Sequence, residues 1–105
     1  MNRTLAVFAR LPVGDRREEV LDAIGAYGAH VRAQPGTITF DVYVPTDDEP
    51  SVFVWEVYRD RAAFDEHLAD PENARFNATL HELTGAGSQV VLLSPAAAGE
   101  VPVRP

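Results

Sequence analysis

Cysteine is absent from this chain of 105 residues. Disulfides, thiolate nucleophiles and cysteine-based metal sites are therefore excluded. Basic residues are also scarce, since nine Lys and Arg stand against sixteen Asp and Glu, a formal net charge of −7. Nucleic acids and anionic membranes bind basic surfaces, so this balance disfavours both partners.

Long apolar runs and cofactor motifs are missing as well. No window reaches the length of a membrane span, and the N-terminus lacks the apolar stretch of a signal peptide. The three histidines have no H-E-x-x-H spacing, no glycine-rich loop follows a strand, and no G-x-S-x-G motif is present. We therefore expect a cytoplasmic protein without a metal site or a bound cofactor.

The segments that are present alternate between two periodicities. Apolar residues recur at strand spacing in four segments, and at helix spacing in two regions between them. The strands are predicted over 5–11, 37–44, 52–58 and 89–93, and the helices over 15–33 and 60–85. Within the second strand we expect Ile38, Phe40, Val42 and Val44 to form one apolar face.

Capping residues predict where the helices begin and end. Asp15 followed by Glu18 has the spacing of a capping box at the start of the first helix. Asp60 is placed to cap the second helix, and Asp70-Pro71 is placed to restart it. Gly85 is a typical helix end.

The order βαββαβ predicts an α+β, ferredoxin-like fold: a four-stranded antiparallel sheet with two helices on one face. One domain over 1–94 fits this length, followed by a Pro/Ala-rich tail over 95–105. Three strands are apolar on both sides, so the face without helices would be exposed in a monomer. We expect a homodimer through that face, with Phe53, Trp55 and Val57 at the contact.

The third strand and the helix after it hold the candidate site residues. Glu56 and Tyr58 share a parity opposite to Trp55, so both are expected to face the helices. A carboxyl group in apolar surroundings needs a donor or a raised pKa. His67, three residues after Phe64, is suited to proton transfer. Purely structural roles stay open for each of them.

The next helix offers further candidates. Asn73, Asn77 and His81 recur along one flank, where Asn77 and His81 could line a pocket rim, although a solvated polar flank is the favoured explanation of the spacing. Phe76 lies on the apolar stripe of the same helix and is expected, with Phe64, to form a pocket wall.

Several of these segments resemble the antibiotic biosynthesis monooxygenase family. Residues 34–40 are similar to the family's Pro-Gly turn into its second strand. Residues 53–60 are similar to its third strand, with an aromatic residue, a Glu, a second aromatic and an acidic residue. Ala63, His67 and Phe76 match its A-x-x-x-H motif and the Phe that follows downstream. The likeness extends over about 4–94.

The resemblance implies a dimeric α+β barrel with a pocket between sheet and helices. Members of the family oxidise phenolic or quinol-type aromatics with O2 and without a cofactor, while others degrade haem, isomerise small molecules or have no assigned activity. By position, Tyr58 and His67 match the family's strand aromatic and helix histidine. The haem-degrading members have Trp where Tyr58 stands and His where Leu80 stands, so haem degradation is not expected.

These observations predict a cofactor-independent monooxygenase that acts on a small hydroxylated aromatic or quinol. Tyr58 and His67 are the predicted catalytic residues, and Glu56, Asn77, Phe64 and Phe76 the predicted substrate-binding residues. Two alternatives remain at this stage. The chain could be a non-catalytic dimeric module that binds a small molecule, or an isomerase of the same fold.

Overall fold

The computed structural model describes residues 3–96, and these form four strands and three helices. The elements in chain order are β1 (Leu5–Pro12), α1 (Arg17–Arg32), β2 (Thr37–Tyr43), β3 (Ser51–Tyr58), α2 (Arg61–Ala69), α3 (Pro71–Thr84) and β4 (Gln89–Leu93). The predicted tail lies outside the described residues from position 97 onward, and the domain boundary at 94 stays a prediction. None of these helices is long and apolar enough to cross a membrane.

The strands form one antiparallel sheet in the order β2-β3-β1-β4. This is the ferredoxin-like arrangement that the element order predicts, so the fold prediction is confirmed. Alternate residues of β1 and β3, among them Val7, Leu11, Val52 and Val54, are buried against the helices. From α1, Val20, Ile24 and Val31 complete this core at helical spacing.

The second helical region is divided as its capping residues predict. The Asp60 carboxylate accepts a hydrogen bond from the amide of Ala63 at 2.8 Å, and α2 begins at the next residue. Asp70 accepts from the amide of Glu72 and caps α3, whose first residue is Pro71. These caps satisfy amides that have no partner within the helix. The break between α2 and α3 therefore has a local chemical cause.

The predicted capping box of α1 is wrong. Gly14 takes a positive φ of 56°, and the amide of Arg16 closes a turn onto the carbonyl of Val13 at 2.9 Å. Arg16 is consequently the N-cap, without a side-chain cap, and its guanidinium pairs with Glu19 at 2.5 Å. Asp15 lies inside the turn, where its carboxylate does not cap the helix.

The predicted apolar face of β2 is only partly correct. Phe40 is buried opposite Glu56, but Ile38 is 59% exposed and Val44, beyond the end of the strand, is 51% exposed. The pairing with β3 shifts register between Thr37 and Thr39. Because such a bulge inserts one unpaired residue, it breaks the alternation of sides at Ile38.

The face of the sheet away from the helices carries apolar side chains. Phe8 stacks on Phe53 with ring centroids 5.6 Å apart, lies 6.5 Å from Trp55, and is 41% exposed. Val91 lies opposite Phe8 on β4 and is also exposed. A single chain therefore presents a contiguous apolar surface on this side.

Strand β4 lies at the edge of the sheet, beyond the area that the helices cover. Val90 and Leu92 lie opposite Ala9 and Val7, so they share the helix-facing side of the sheet. Both are nevertheless exposed, because the helices do not reach over this edge strand. The gap beside β4 becomes the opening of the cavity described next.

Candidate functional site

A cavity of about 200 Å³ lies between the sheet and the helices and opens toward β4. Its walls are mainly apolar, with polar groups concentrated at the inner end and at the mouth. The lining residues are Val7, Ala9, Leu11, Ile24, Tyr27, Phe40, Val54, Glu56, Phe64, His67, Leu68, Asn73, Phe76, Asn77, Ser88 and Val90. This composition is typical of small-molecule sites.

Glu56 supplies a carboxyl group to the inner end. The parity of β3 turns it toward the helices, where it is only 7% exposed. The hydroxyl of Tyr58, two residues along the same strand, donates to its Oε1 at 2.5 Å. Oε2 has no protein hydrogen-bond partner among residues 3–96 and is not fully buried, so it is accessible from the cavity that Glu56 lines.

Burial dominates the proton affinity of this carboxyl group. Loss of solvent raises the pKa of Glu56 from 4.5 to about 7, although the hydrogen bond from Tyr58 acts in the opposite direction. The pKa of Tyr58 is itself raised, first by burial and then by the neighbouring Glu56. Glu56 is thus poised to gain or lose a proton near neutral pH, whereas Tyr58 stays protonated.

His67 projects from α2 toward Glu56 and is 5% exposed. Its Nε2 lies 3.4 Å from the hydroxyl of Tyr27 and 3.9 Å from Oε1 of Glu56, too far for a hydrogen bond to the carboxylate. Its Nδ1 is buried without a hydrogen-bond partner among the described residues. Burial lowers the pKa of His67, so the imidazole is neutral at pH 7.

Tyr27 reaches the same end of the cavity from α1. Its ring stacks on Phe76 at 4.7 Å and meets Phe40 edge-on at 5.9 Å. Its hydroxyl accepts a hydrogen bond from Nδ2 of Asn73 at 2.9 Å. Burial raises the pKa of this phenol to about 12. Helix α1 therefore contributes a neutral hydroxyl beside His67.

Polar groups continue from this hydroxyl to the mouth. Nδ2 of Asn77 donates to Oδ1 of Asn73 at 3.2 Å, and Asn77 itself is exposed. Ser88 and Val90, from the approach to β4, complete the opening together with Leu68 of α2. The carboxyl group, the imidazole and the phenol are thus connected to solvent along one flank of α3.

Most of the residues predicted for the site line one cavity. These are Glu56, His67, Asn77, Phe64 and Phe76. Tyr58 is fully buried behind Glu56 and touches it rather than the cavity.

Sequence reasoning did not identify two lining residues as functional. Tyr27 has the spacing of an ordinary core residue of α1, and Asn73 that of a solvated flank. The remaining signal was the i, i+4 repeat of Asn73 and Asn77, because such a pair lies on one side of a helix.

The other histidines have different surroundings. Nε2 of His30 lies 2.6 Å from Oδ2 of Asp70, and the same oxygen accepts a hydrogen bond from Nε2 of Gln34 at 2.5 Å. This contact holds the end of α1 against the junction of α2 and α3. His81 is exposed on α3. Among residues 3–96, no three His, Asp or Glu side chains come close enough together to hold a metal ion.

The arrangement can bind a small, mostly apolar molecule and exchange one proton with it. A cavity of about 150 Å³ is enough to hold benzene. The volume here therefore suits one ring with its substituents. A hydroxyl on such a ring could donate to the free carboxylate oxygen of Glu56, within mainly apolar walls.

Two comparisons of the sequence with known proteins point to the same family. The sequence model described as antibiotic biosynthesis monooxygenase matches residues 5–79. The protein Rv0793 of Mycobacterium tuberculosis, provisionally named a monooxygenase, is 32% identical over 96 residues, which cover 90% of this chain and 94% of that protein.

Solved structures agree with the fold. The structure of Rv0793 superposes with a TM-score of 0.80 at 30% identity and covers 92% of this chain and 99% of the other. A Caulobacter crescentus protein, provisionally named an antibiotic biosynthesis monooxygenase, has a TM-score of 0.82 at 18% identity, covering 90% and 92%. PA3566 from Pseudomonas aeruginosa has a TM-score of 0.81 at 22% identity, covering 92% and 98%. The last two similarities concern the fold alone.

Proposed function

Because this chain belongs to the antibiotic biosynthesis monooxygenase family, we propose that it is a cofactor-independent monooxygenase acting on a small hydroxylated aromatic or quinol. The observation that carries the proposal is the apolar cavity with Glu56 and His67 together at its inner end. Phe64 and Phe76 form walls for the ring, and Asn77 supplies a polar group at the mouth.

The reaction begins with loss of a proton from a ring hydroxyl. The resulting oxyanion is electron-rich and can reduce O2 directly. For a 1,4-dihydroxybenzene, addition of one oxygen atom to the ring gives a hydroxyquinone, and the second oxygen atom leaves as water. The substrate supplies all four electrons, so no further reductant is needed. The cavity contributes the proton acceptor and mainly apolar walls around the ring.

Two features weigh against a module whose polar pair has only a structural role. A ligand-sized cavity is lined by both Glu56 and His67. In addition, the two side chains do not hydrogen-bond each other, since Nε2 and Oε1 are 3.9 Å apart. An isomerase would use the same proton-transfer groups without oxygen, so anaerobic turnover separates it from the oxygenase.

The test is O2 uptake with a panel of hydroquinones, naphthohydroquinones and anthrones, corrected for spontaneous oxidation. We expect uptake above background that falls at least tenfold in Glu56→Gln, because such a loss is typical of a missing proton-transfer group. Uptake should also fall in His67→Ala, because the imidazole lines the cavity beside Glu56. The exposed His81→Ala is the matched control and should retain the rate. Binding without oxygen uptake would favour the non-catalytic module, and rearrangement of a ligand under anaerobic conditions would favour the isomerase.

We also propose that the chain is a homodimer through the open face of the sheet. Phe53, Trp55 and Val57 share this face by strand parity, and Phe8 and Val91 extend the same apolar surface. A second copy can bury it by packing sheet against sheet. Aromatic residues at such positions often dominate the binding energy.

Light scattering should give twice the chain mass. Phe8→Lys places a charge in the proposed contact, and we expect the dimer dissociation constant to rise at least about 30-fold, equivalent to about 2 kcal/mol. Ala78→Lys adds the same charge on the exposed side of α3 and is the control. A wild-type protein that remains monomeric at high concentration would contradict the proposed dimer.

A further inference from the structure

We propose that Tyr27 is a positioning residue: held by Asn73, its hydroxyl donates to Nε2 of His67, and this leaves Glu56 as the group that takes the ligand's proton. The proposal concerns the same cavity and rests on the proposed function for its ligand class. It assigns a role to two residues that motif reasoning left out, and it separates the tasks of the two central groups.

The hydroxyl of Tyr27 has one proton to donate, and its surroundings decide where that proton goes. Nδ2 of Asn73 donates to this oxygen at 2.9 Å. The amide of Asn73 is oriented in turn by Asn77, whose Nδ2 donates to Oδ1 at 3.2 Å. With one lone pair of the hydroxyl occupied, its proton can point to Nε2 of His67 at 3.4 Å.

The two neutral forms of His67 satisfy different numbers of groups. With the proton on Nδ1, Nε2 accepts from Tyr27, and only the buried Nδ1–H lacks a partner among residues 3–96. With the proton on Nε2, the Tyr27 proton and the bare Nδ1 both lack partners in that part of the chain. Buried polar groups without partners destabilise the fold, so the first form is favoured.

Packing fixes the donor in place. The Tyr27 ring is stacked on Phe76 with an interplanar angle of 4° and meets Phe40 edge-on. It also lies 6.0 Å from the ring of His67. These contacts hold the phenol on the His67 side of the cavity, so its hydroxyl does not swing away without displacing core side chains.

Glu56 differs from His67 in this respect, because only one of its two carboxylate oxygens accepts a hydrogen bond from the described residues. Tyr58 occupies Oε1, whereas Oε2 is accessible from the cavity and has no protein hydrogen-bond partner in the described residues. A ligand hydroxyl can therefore transfer its proton to Oε2. The ligand O–H bond breaks, an O–H bond forms on Glu56, and the negative charge passes from the carboxylate to the ligand oxygen.

The charged and titratable groups around this pair come from several elements. Tyr58 lies on β3, and Tyr27 and His30 lie on α1. Asp70, at the junction of α2 and α3, acts on His67 through its charge, and His30 does so in the opposite sense. Burial holds His67 neutral and raises the pKa of Glu56 to about 7, which agrees with Glu56 as the proton acceptor.

The first experiment reads the histidine tautomer by 15N NMR on the full chain, with His67→Gln used to assign the signals. We expect the wild-type His67 to carry its proton on Nδ1. Tyr27→Phe keeps the ring packing but removes the donor, and should give a mixture of tautomers. Asn73→Asp offers Tyr27 a competing acceptor and should move the His67 proton to Nε2. A wild-type ring protonated on Nε2 would overturn the role given to Tyr27.

The second experiment measures binding of phenol, a single hydroxylated ring, between pH 5 and 8. A charged acceptor binds a hydroxyl about tenfold better than a neutral one, so the affinity should rise about tenfold as Glu56 ionises. Glu56→Gln should abolish this rise. His67→Gln should weaken binding but keep the rise, and the exposed His81→Gln should match the wild type.

The outcomes distinguish the two proposals. If the rise of phenol affinity with pH disappeared in His67→Gln and persisted in Glu56→Gln, Glu56 would not be the proton acceptor, while the ligand class would stand. Absence of phenol binding in every variant would overturn the ligand class and the role of Glu56 together. The tautomer measurement needs no ligand, so it still decides the role of Tyr27.

Discussion

Burial of Glu56 should make the stability of this protein depend on pH in a direction opposite to that of an ion-paired carboxylate, whose pKa is lowered by folding. The folded state raises the pKa of Glu56 from 4.5 to about 7, chiefly by burial. A raised pKa means that the folded state holds the proton more tightly than the unfolded state. The resulting stabilisation is fully present below pH 4.5 and is lost as the pH rises through 7.

The size of the effect follows from that difference in pKa. Multiplying the interval between 4.5 and about 7 by about 1.4 kcal/mol for each pH unit gives about 3–4 kcal/mol. Small domains are stable by only about 5–15 kcal/mol in total. One buried carboxyl group therefore changes a substantial part of the free energy of unfolding.

The assay is urea unfolding of the wild type and Glu56→Gln from pH 4 to 8, at one protein concentration. Glutamine keeps the shape and the acceptor for Tyr58 but does not titrate. We expect similar stability at pH 4 and an advantage for Glu56→Gln of about 3–4 kcal/mol at pH 8. Subtracting the two curves removes the contributions of the other titrating groups. Curves that stay parallel over this range would refute the reasoning.

His67 contributes with the opposite sign, which is why a difference between variants is needed. Its pKa is lowered by burial, so its contribution to stability is present above pH 6.5 and is lost as the pH falls below that value.

Tyr58→Phe provides a direct check of the raised pKa of Glu56, since the hydrogen bond from the Tyr58 hydroxyl lowers that pKa. The 13C carboxyl signal of Glu56 should then titrate at a higher pH than in the wild type, and a lower midpoint would contradict this account.

Two further pairs of variants test the fold. A Cβ on Gly36 would collide with the side chain of Ala63, whereas one on Gly25 meets nothing within 4 Å. Gly36→Ala should therefore cost about 1–3 kcal/mol and Gly25→Ala should gain about 0.5–1 kcal/mol in thermal unfolding. Asp60→Ala should cost about 1 kcal/mol because the cap of α2 is lost, and Asp15→Ala, which removes no cap, should stay within about 0.5 kcal/mol of the wild type. If Asp15→Ala lost as much stability as Asp60→Ala, Asp15 would cap α1 as the sequence predicts.

The fold could be predicted because each element carries its own periodicity. The period-2 pattern of β3 assigns Val52, Val54 and Glu56 to the helix side, where all three are buried. Asp60 and Asp70 cap successive helices through their own side chains, so their effect is local and can be read from the sequence. Elements of this kind need no information from distant parts of the chain.

The two errors arise where a neighbouring segment decides the conformation. The turn at Gly14 makes Arg16 rather than Asp15 the N-cap of α1. The register shift that exposes Ile38 belongs to the pairing of β2 with β3, and the alternation within β2 alone does not contain it. A pattern within one segment therefore predicts its type better than its ends or irregularities.

The candidate site shows the same division between local and distant information. Glu56 and His67 lie on consecutive elements, so strand parity and helix spacing can bring them to one side of the sheet. Tyr27 is 40 residues before His67 and meets it only because α1 packs beside α3, where Asn73 and Phe76 hold the phenol. No periodicity distinguishes such a tyrosine from a core residue, because its ring is in fact part of the core. Only the hydroxyl group, at the boundary between core and cavity, gives the residue a chemical role.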